Sequence, residues 1–140
     1  MDEPVKKAIL ERVKTEPFAQ ALGMELVELD SGFSAVEMTY EPARMNNFYN
    51  RAHGGAVFAL IDEAFETVGQ TDGTIGVALN VNVTYISSPD PGTCLRAEAR
   101  IVAQTKKTAT YTITVTQKDD RLIASCQALL YKTGKPIPFL

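Results

Sequence analysis

Residues 54–68 read GGAVFALIDEAFETV, and this stretch decides how the rest of the chain is arranged. Gly54 and Gly55 open it, Ala56 to Ile61 are apolar without interruption, and Asp62 follows directly. Ala, Leu and Phe outnumber β-branched residues and the run is too long for a typical strand, so it predicts a helix ending at Gly69. A helix apolar nearly all round belongs inside a protein, not on its surface. Something else in the chain has to enclose it.

The flanking sequence supplies strands. Upstream, residues 3–15 predict an amphipathic helix with Pro4 in its first turn and Val5, Ala8, Ile9 and Val13 on one face. Pro17 ends that helix, with room for a short helical turn around Phe18 to Leu22. Strands follow near 24–30 and 33–41, joined by the tight-turn composition Asp30-Ser31-Gly32 and closed by Pro42. Residues 43–53 form a polar loop ending at His53. Downstream, Ile75, Val77, Leu79, Val81, Val83 and Tyr85 alternate with smaller or polar residues, the period of a strand. Further strand patterns lie at about 93–104, 109–117 and 121–132, separated by turns at 89–92, 105–108 and 119–120. The prolines of the tail GKPIPFL are expected to stop the last one.

Counted as helix, two strands, buried helix and three strands, the order suits long antiparallel strands curling around one apolar helix. The competing arrangement is an α+β sandwich with the helix on one face. The 140 residues fit a single domain, 1–140.

Composition narrows the chemistry. A net charge of -3 disfavours binding to a nucleic-acid backbone, which needs a basic surface. No run approaches the roughly 18 apolar residues of a membrane span. The opening MDEPVKKAILERVK has no signal-like apolar stretch, so the expected location is cytoplasmic, without membrane or nucleic-acid partners. Cys94 and Cys126 form no CxxC motif, and His53 is the only histidine, which excludes a multi-histidine or Cys/His metal site. No metal and no cofactor are expected. Catalysis, if any, must come from carboxylates, hydroxyls, amides, backbone dipoles or the His53 imidazole.

The segment NNFYNRAHGGAVFALID, residues 46–62, gathers such groups. Glycines at a helix N-terminus let another molecule approach the backbone, and the first N–H groups there lack intrahelical acceptors and sit at the positive end of the dipole. A carbonyl placed there would have its developing oxyanion held by fixed donors. Alternatively, Gly54 and Gly55 merely permit tight helix–sheet packing. Asp62 follows six apolar residues, and an unpaired buried carboxylate is costly, so its presence needs a reason. It either faces a reaction pocket or lies on a polar stripe with Glu66, the reserve acid four residues on. Asn47 is either a turn former or an amide that orients water.

This segment resembles the active-site segment of hotdog-fold acyl-CoA thioesterases, in the branch of the phenylacetate-pathway and hydroxybenzoyl-CoA enzymes. The shared pattern is an asparagine six residues before His-Gly-Gly and an acid nine residues after the histidine, met here by Asn47, His53, Gly54, Gly55 and Asp62. The resemblance implies a hotdog fold, a five-stranded antiparallel sheet wrapped around a central helix at about 54–69 with a short N-terminal helix. It implies hydrolysis of an aryl- or medium-chain acyl-CoA to free acid and CoA. Asp62 would be general base or nucleophile, the Gly54 amide the oxyanion donor, and Gly55 its partner beside the substrate. Asn47 would anchor the loop or orient water, and His53 would donate to the thioester or hold the loop against the helix. A homodimer or homotetramer is implied, with strands paired edge to edge and each site completed by the neighbour.

Relatives can carry a serine or threonine where this chain has Ala78. Asn80 and Asn82, expected on the same strand face, are candidates to replace it. Arg51, Lys106 and Lys107 are candidates to meet the CoA phosphates. Phe48, Tyr49, Phe58 and Phe65 would line an acyl pocket or belong to the core. Two rival functions remain. A hotdog enoyl-CoA hydratase would use the Asn47, Asn50, His53 spacing but lacks its aspartate. A non-catalytic acyl-CoA-binding module would leave Asp62 without a role.

Overall fold

The computed structural model describes residues 1–140 and orders them as α1 (Glu3–Val13), α2 (Pro17–Leu22), β1 (Glu25–Asp30), β2 (Phe33–Thr39), α3 (Pro42–Met45), α4 (Gly54–Gly69), β3 (Thr74–Tyr85), β4 (Cys94–Gln104), β5 (Thr108–Gln117) and β6 (Leu122–Pro136). The strands form one antiparallel sheet in the order β1-β2-β4-β5-β6-β3. The sheet has six strands, where five were expected. Four strands, not three, follow α4: each of the four alternating stretches read downstream of it forms its own strand, so the count of three fell one short of those stretches.

Helix α1 begins where Asp2 accepts a 3.1 Å hydrogen bond from the Val5 N–H, and it buries Val5, Ile9 and Val13. It stops at Val13, two residues short of the expected end. Pro17 then starts α2, which closes at Gly23 in the left-handed conformation (φ 66°). The short α3 lies inside the loop expected to be irregular and buries Met45.

Strand β6 also departs from expectation by running through Gly134 to Pro136, which pairs with Thr74. A proline at the last position of a strand removes a donor that the ladder no longer needs. Ile137, just beyond, is buried and its N–H donates to the Gly73 carbonyl at 3.0 Å.

Helix α4 spans the 16 residues read from sequence and packs across β2, β4, β5 and β3. Its Leu60, Ile61, Ala64 and Val68 are fully buried, and Phe65 meets Tyr111 of β5 edge-on at 5.6 Å. The helix end sits very close to the sheet. A Cβ at Gly76 would come within 2.9 Å of the Gly69 carbonyl oxygen and 2.7 Å of the Leu130 side chain. Glycine at 76 therefore sets how deeply α4 seats in the sheet.

The open edges are β1 and β3. Strand β3 is 12 residues long, largely exposed, and turns Val77, Leu79 and Tyr85 to solvent at 48%, 57% and 53%. An unpaired edge that long and apolar is a template for pairing with another strand.

Candidate active site

The N-terminus of α4 is built by the loop before it. His53 is the N-cap, with extended backbone (φ -64°, ψ 133°), and its Nδ1 accepts a 2.9 Å hydrogen bond from the Gly55 N–H. That bond requires a neutral Nδ1 lone pair and leaves the proton on Nε2. The Gly55 amide is thus used internally, whereas the Gly54 N–H finds no acceptor within the chain. Of the two glycines, Gly54 is the one with a donor to spare.

Tyr85, at the end of β3, holds the same turn from the sheet side. Its hydroxyl donates to the Gly54 carbonyl at 3.1 Å, and its ring lies 3.3 Å from where a Cβ at 54 would be. Tyr85 is the contact that the sequence did not single out. The strand alternation included it, but nothing in sequence placed its hydroxyl on the helix end.

Asn47 shapes the loop. Its Oδ1 accepts from the Tyr49 and Arg51 N–H groups at 2.8 and 3.2 Å, and its own N–H donates to the Arg51 carbonyl at 2.7 Å. The carbonyl oxygen of the side chain is therefore committed to the turn. Asn47, Arg51, Gly54, Val57 and Tyr85 line a cleft of about 370 Å³ that continues to Ser87, Ser88 and Ile123. The tertiary structure thus brings Asn47, Arg51 and Gly54 together.

Asp62 is elsewhere. It lies on the exposed stripe of α4 that also carries Gly55, Phe58 and Glu66, and it does not line the Gly54 cleft. Eight residues of helix put it about 12 Å along the axis from Gly54. Although exposed in the protomer, its carboxyl is pushed above the ordinary 3.8 because packed neighbours take away part of its water. Its charge also reaches the buried Cys126 thiol, which burial chiefly drives up to about 11.

Asn80 and Asn82 do not share the face of Ala78. The ladder shifts between Ala78 and Asn80, so Ala78 pairs with Leu130 while Asn80 and Asn82 pair with Leu129 and Gln127. A one-residue bulge flips every later side chain to the other face. Both asparagines are exposed on the face opposite buried Ala128 and Leu130, away from α4. They are not placed to stand in for a hydroxyl at 78.

Lys106 and Lys107 are exposed in the β4–β5 hairpin. They lie next to Thr108, which pairs with Tyr131, whereas the Tyr85 end of the sheet pairs through Ala124 with Val115. The two ends are about 23 Å apart along β5. Within one protomer, only Arg51 of the three candidate cations is near the Gly54 cleft. Among the aromatics, Phe65 is core, Phe58 is half-buried on the Asp62 stripe, and Phe48 and Tyr49 are exposed with ring centres 4.2 Å apart.

The third acid of α4, Glu63, is buried at 3% exposure; its carboxyl is in hydrogen-bonding reach of Glu16, and its Oε1 has no donor from the chain. Burial, with the charges of Glu16, Glu66 and Asp62, pushes its carboxyl up to about 8.

The architecture, one antiparallel sheet wrapped around a central helix, is that of the hotdog class. The family model of the thioesterase superfamily matches residues 49–124. A candidate esterase of Archaeoglobus fulgidus is 31% identical over 138 residues, covering 95% of this chain and 89% of that protein. The acyl-coenzyme A thioesterase PaaI of Escherichia coli is 30% identical over 119 residues, 85% of this chain and 84% of PaaI. The solved structure of E. coli PaaI, from the phenylacetic acid degradation operon, superimposes with TM-score 0.89 at 27% identity, over 95% of this chain and 96% of that one. A Streptococcus mutans protein solved bound to acetyl-CoA superimposes with TM-score 0.76 at 26% identity, over 81% and 91% of the two chains. The chain belongs to the thioesterase superfamily and is an enzyme of that family.

Proposed function

We propose that this enzyme hydrolyses aryl- or medium-chain acyl-CoA thioesters to free acid and CoA at a site shared by two protomers. The Gly54 N–H of one protomer holds the thioester oxygen, and Asp62 of the neighbour serves as general base toward water or as nucleophile. The observation that carries this reading is the division of labour along α4. The free amide donor and the desolvated carboxylate lie about 12 Å apart on one helix, too far for one thioester carbon to meet both.

A second copy resolves that distance. The apolar edge of β3 is suited to pairing with its own mate around a two-fold axis. Such a partner would also cover the Gly55–Phe58–Asp62 stripe and raise Asp62 further by burial. In the shared site, His53 keeps Gly55 capped and the helix start rigid, and Asn47 shapes the rim of the cleft. Arg51 is the cation available there to CoA phosphate. Phe58, beside Asp62, is suited to an apolar acyl group. The acetyl-CoA bound by the S. mutans neighbour and the activity named for PaaI support an acyl-CoA substrate, and the acyl class rests on the apolar Phe58 beside Asp62.

The test is thiol release over a panel of aryl- and alkyl-CoA esters, comparing wild type with Asp62→Ala. Loss of a catalytic base lowers turnover by about 10²–10⁴ while ester binding persists. Turnover unchanged in Asp62→Ala would overturn the assignment. A panel in which only short acyl groups turn over would overturn the acyl class.

A further inference from the structure

We propose, on the shared-site reading above, that Lys106 and Lys107 of one protomer bind the phosphates of CoA held in the Gly54 cleft of its two-fold mate. An edge strand paired with its own two-fold mate runs antiparallel to it. Full overlap of the 12 residues of β3 sets Thr74 of one protomer opposite the partner's Tyr85. The β4–β5 hairpin sits at the Thr74 end, because the Lys132 N–H donates to the Lys107 carbonyl at 2.8 Å and Lys132 pairs with Gly76. Within one chain that end is remote from the Gly54 cleft, which opens beside Tyr85. The two-fold exchanges the ends.

The distance then suits the substrate. Only β6 separates β5 from the β3 edge. Three strand spacings, about 14 Å, therefore lie between the hairpin and the partner's Tyr85. The pantetheine arm of CoA, built like four extended residues, also spans about 14 Å. A thioester carbonyl at Gly54 thus carries its phosphates to the neighbour's hairpin.

Charge selects the same place. CoA bears a diphosphate and a 3′-phosphate, and Arg51 is the one cation that lines the cleft. The hairpin at the cleft's own end adds no net positive charge. There Lys118 is followed by Asp119 and Asp120, and Arg121 is bridged to Asp90 at 2.9 Å. Lys106 and Lys107 are exposed and enter none of the ion pairs of the fold. Asp72, the acid preceding β3, is already bridged to Lys132 at 2.8 Å. The turn that carries the two lysines is ordered. Thr105 Oγ1 accepts from the Lys107 and Thr108 N–H groups at 3.2 and 3.0 Å, and the Thr105 N–H donates to the Thr108 carbonyl at 2.8 Å. Two uncompensated cations on such a turn are a preformed partner for phosphate.

Calorimetric titration of the full chain with CoA and with pantetheine reads binding without turnover. Lys106→Gln/Lys107→Gln should weaken CoA about five- to tenfold and leave pantetheine unchanged. Added NaCl should weaken CoA binding more steeply in wild type than in that double variant. Lys118→Gln should leave CoA affinity as it is. Equal CoA affinity in wild type and double variant, or an equal loss for pantetheine, would overturn the proposal.

Mixed dimers of Gly54→Pro and Asp62→Asn chains show which chain supplies the lysines. With the double substitution in the Gly54→Pro chain, KM for acyl-CoA at the one working site should rise about five- to tenfold. With it in the Asp62→Asn chain, KM should match that of the unsubstituted mixture. The reverse pattern would place the lysines in the chain of Gly54 and sink the trans arrangement. Mixing that restores no activity overturns the shared site itself, whereas restored activity indifferent to the lysines overturns only their role.

Discussion

The Tyr85 hydroxyl donates to the Gly54 carbonyl at 3.1 Å, tying the last residue of an edge strand to the first turn of the central helix. The helix start is thus located by the sheet as well as by its own cap. Tyr85→Phe keeps the ring against Gly54 and deletes one hydrogen bond, typically about 1 kcal/mol. A few-fold fall in kcat with KM nearly unchanged is expected in the thiol-release assay. An unaltered kcat would mean that the turn is held by His53 alone.

Gly54→Pro removes the amide donor but also adds a Cβ 3.3 Å from the Tyr85 ring, so Gly54→Ala, which adds the same Cβ and keeps the N–H, is its control. Proline is tolerated at the first helical position, and His53 already has the extended backbone that a following proline requires. The substitution removes the N–H and leaves the helix, so kcat should fall by about 10²–10³, as for loss of one oxyanion donor. Far-UV circular dichroism unchanged from wild type separates this from misfolding.

Mixing two inactive variants tests whether sites are shared. If Gly54 and Asp62 act from different protomers, subunits of Gly54→Pro and Asp62→Asn that exchange freely into mixed dimers regain one intact site per mixed dimer. Half of the dimers are mixed, so about a quarter of wild-type activity should return. No recovery after verified exchange would place both groups in one chain.

Glu63 makes stability depend on pH. Its folded pKa, about 8, lies above the ordinary 4.5, so the folded state binds more protons than the unfolded state between those values. Stability from this group therefore falls as pH rises from about 4.5 to about 8 and levels off above. Glu63→Gln should flatten that part of the profile, measured as urea midpoints at fixed ionic strength. A wild-type midpoint that rises across the window would contradict the sign.

Gly76→Ala probes the seating of α4. Its Cβ would meet the Gly69 carbonyl oxygen at 2.9 Å, a backbone atom with little freedom to retreat. A loss of about 1–3 kcal/mol is expected from overpacking, read as a lower midpoint in denaturant.

Much of this was legible before any coordinates. The period of residues 75–85 fixed a strand, and the unbroken apolar run 56–61 fixed a buried helix, because burial preferences of consecutive residues are local signals. The order of the strands in the sheet was harder, since a turn composition shows where a chain bends but not which strands pair. The bulge between Ala78 and Asn80 was invisible for the same reason, and it reversed the expected facing of Asn80 and Asn82.

The sequence by itself determined the central helix, its glycine start and the acid at 62, all encoded within a single contiguous segment whose spacing follows from helix geometry. Only the tertiary structure decided which donor is spare, because the His53 cap, the Tyr85 clasp and the meeting of Glu16 with Glu63 depend on groups far apart in the chain or on side-chain direction. Those contacts are set by how the sheet curls and where it bulges, and no local pattern of residues carries that information.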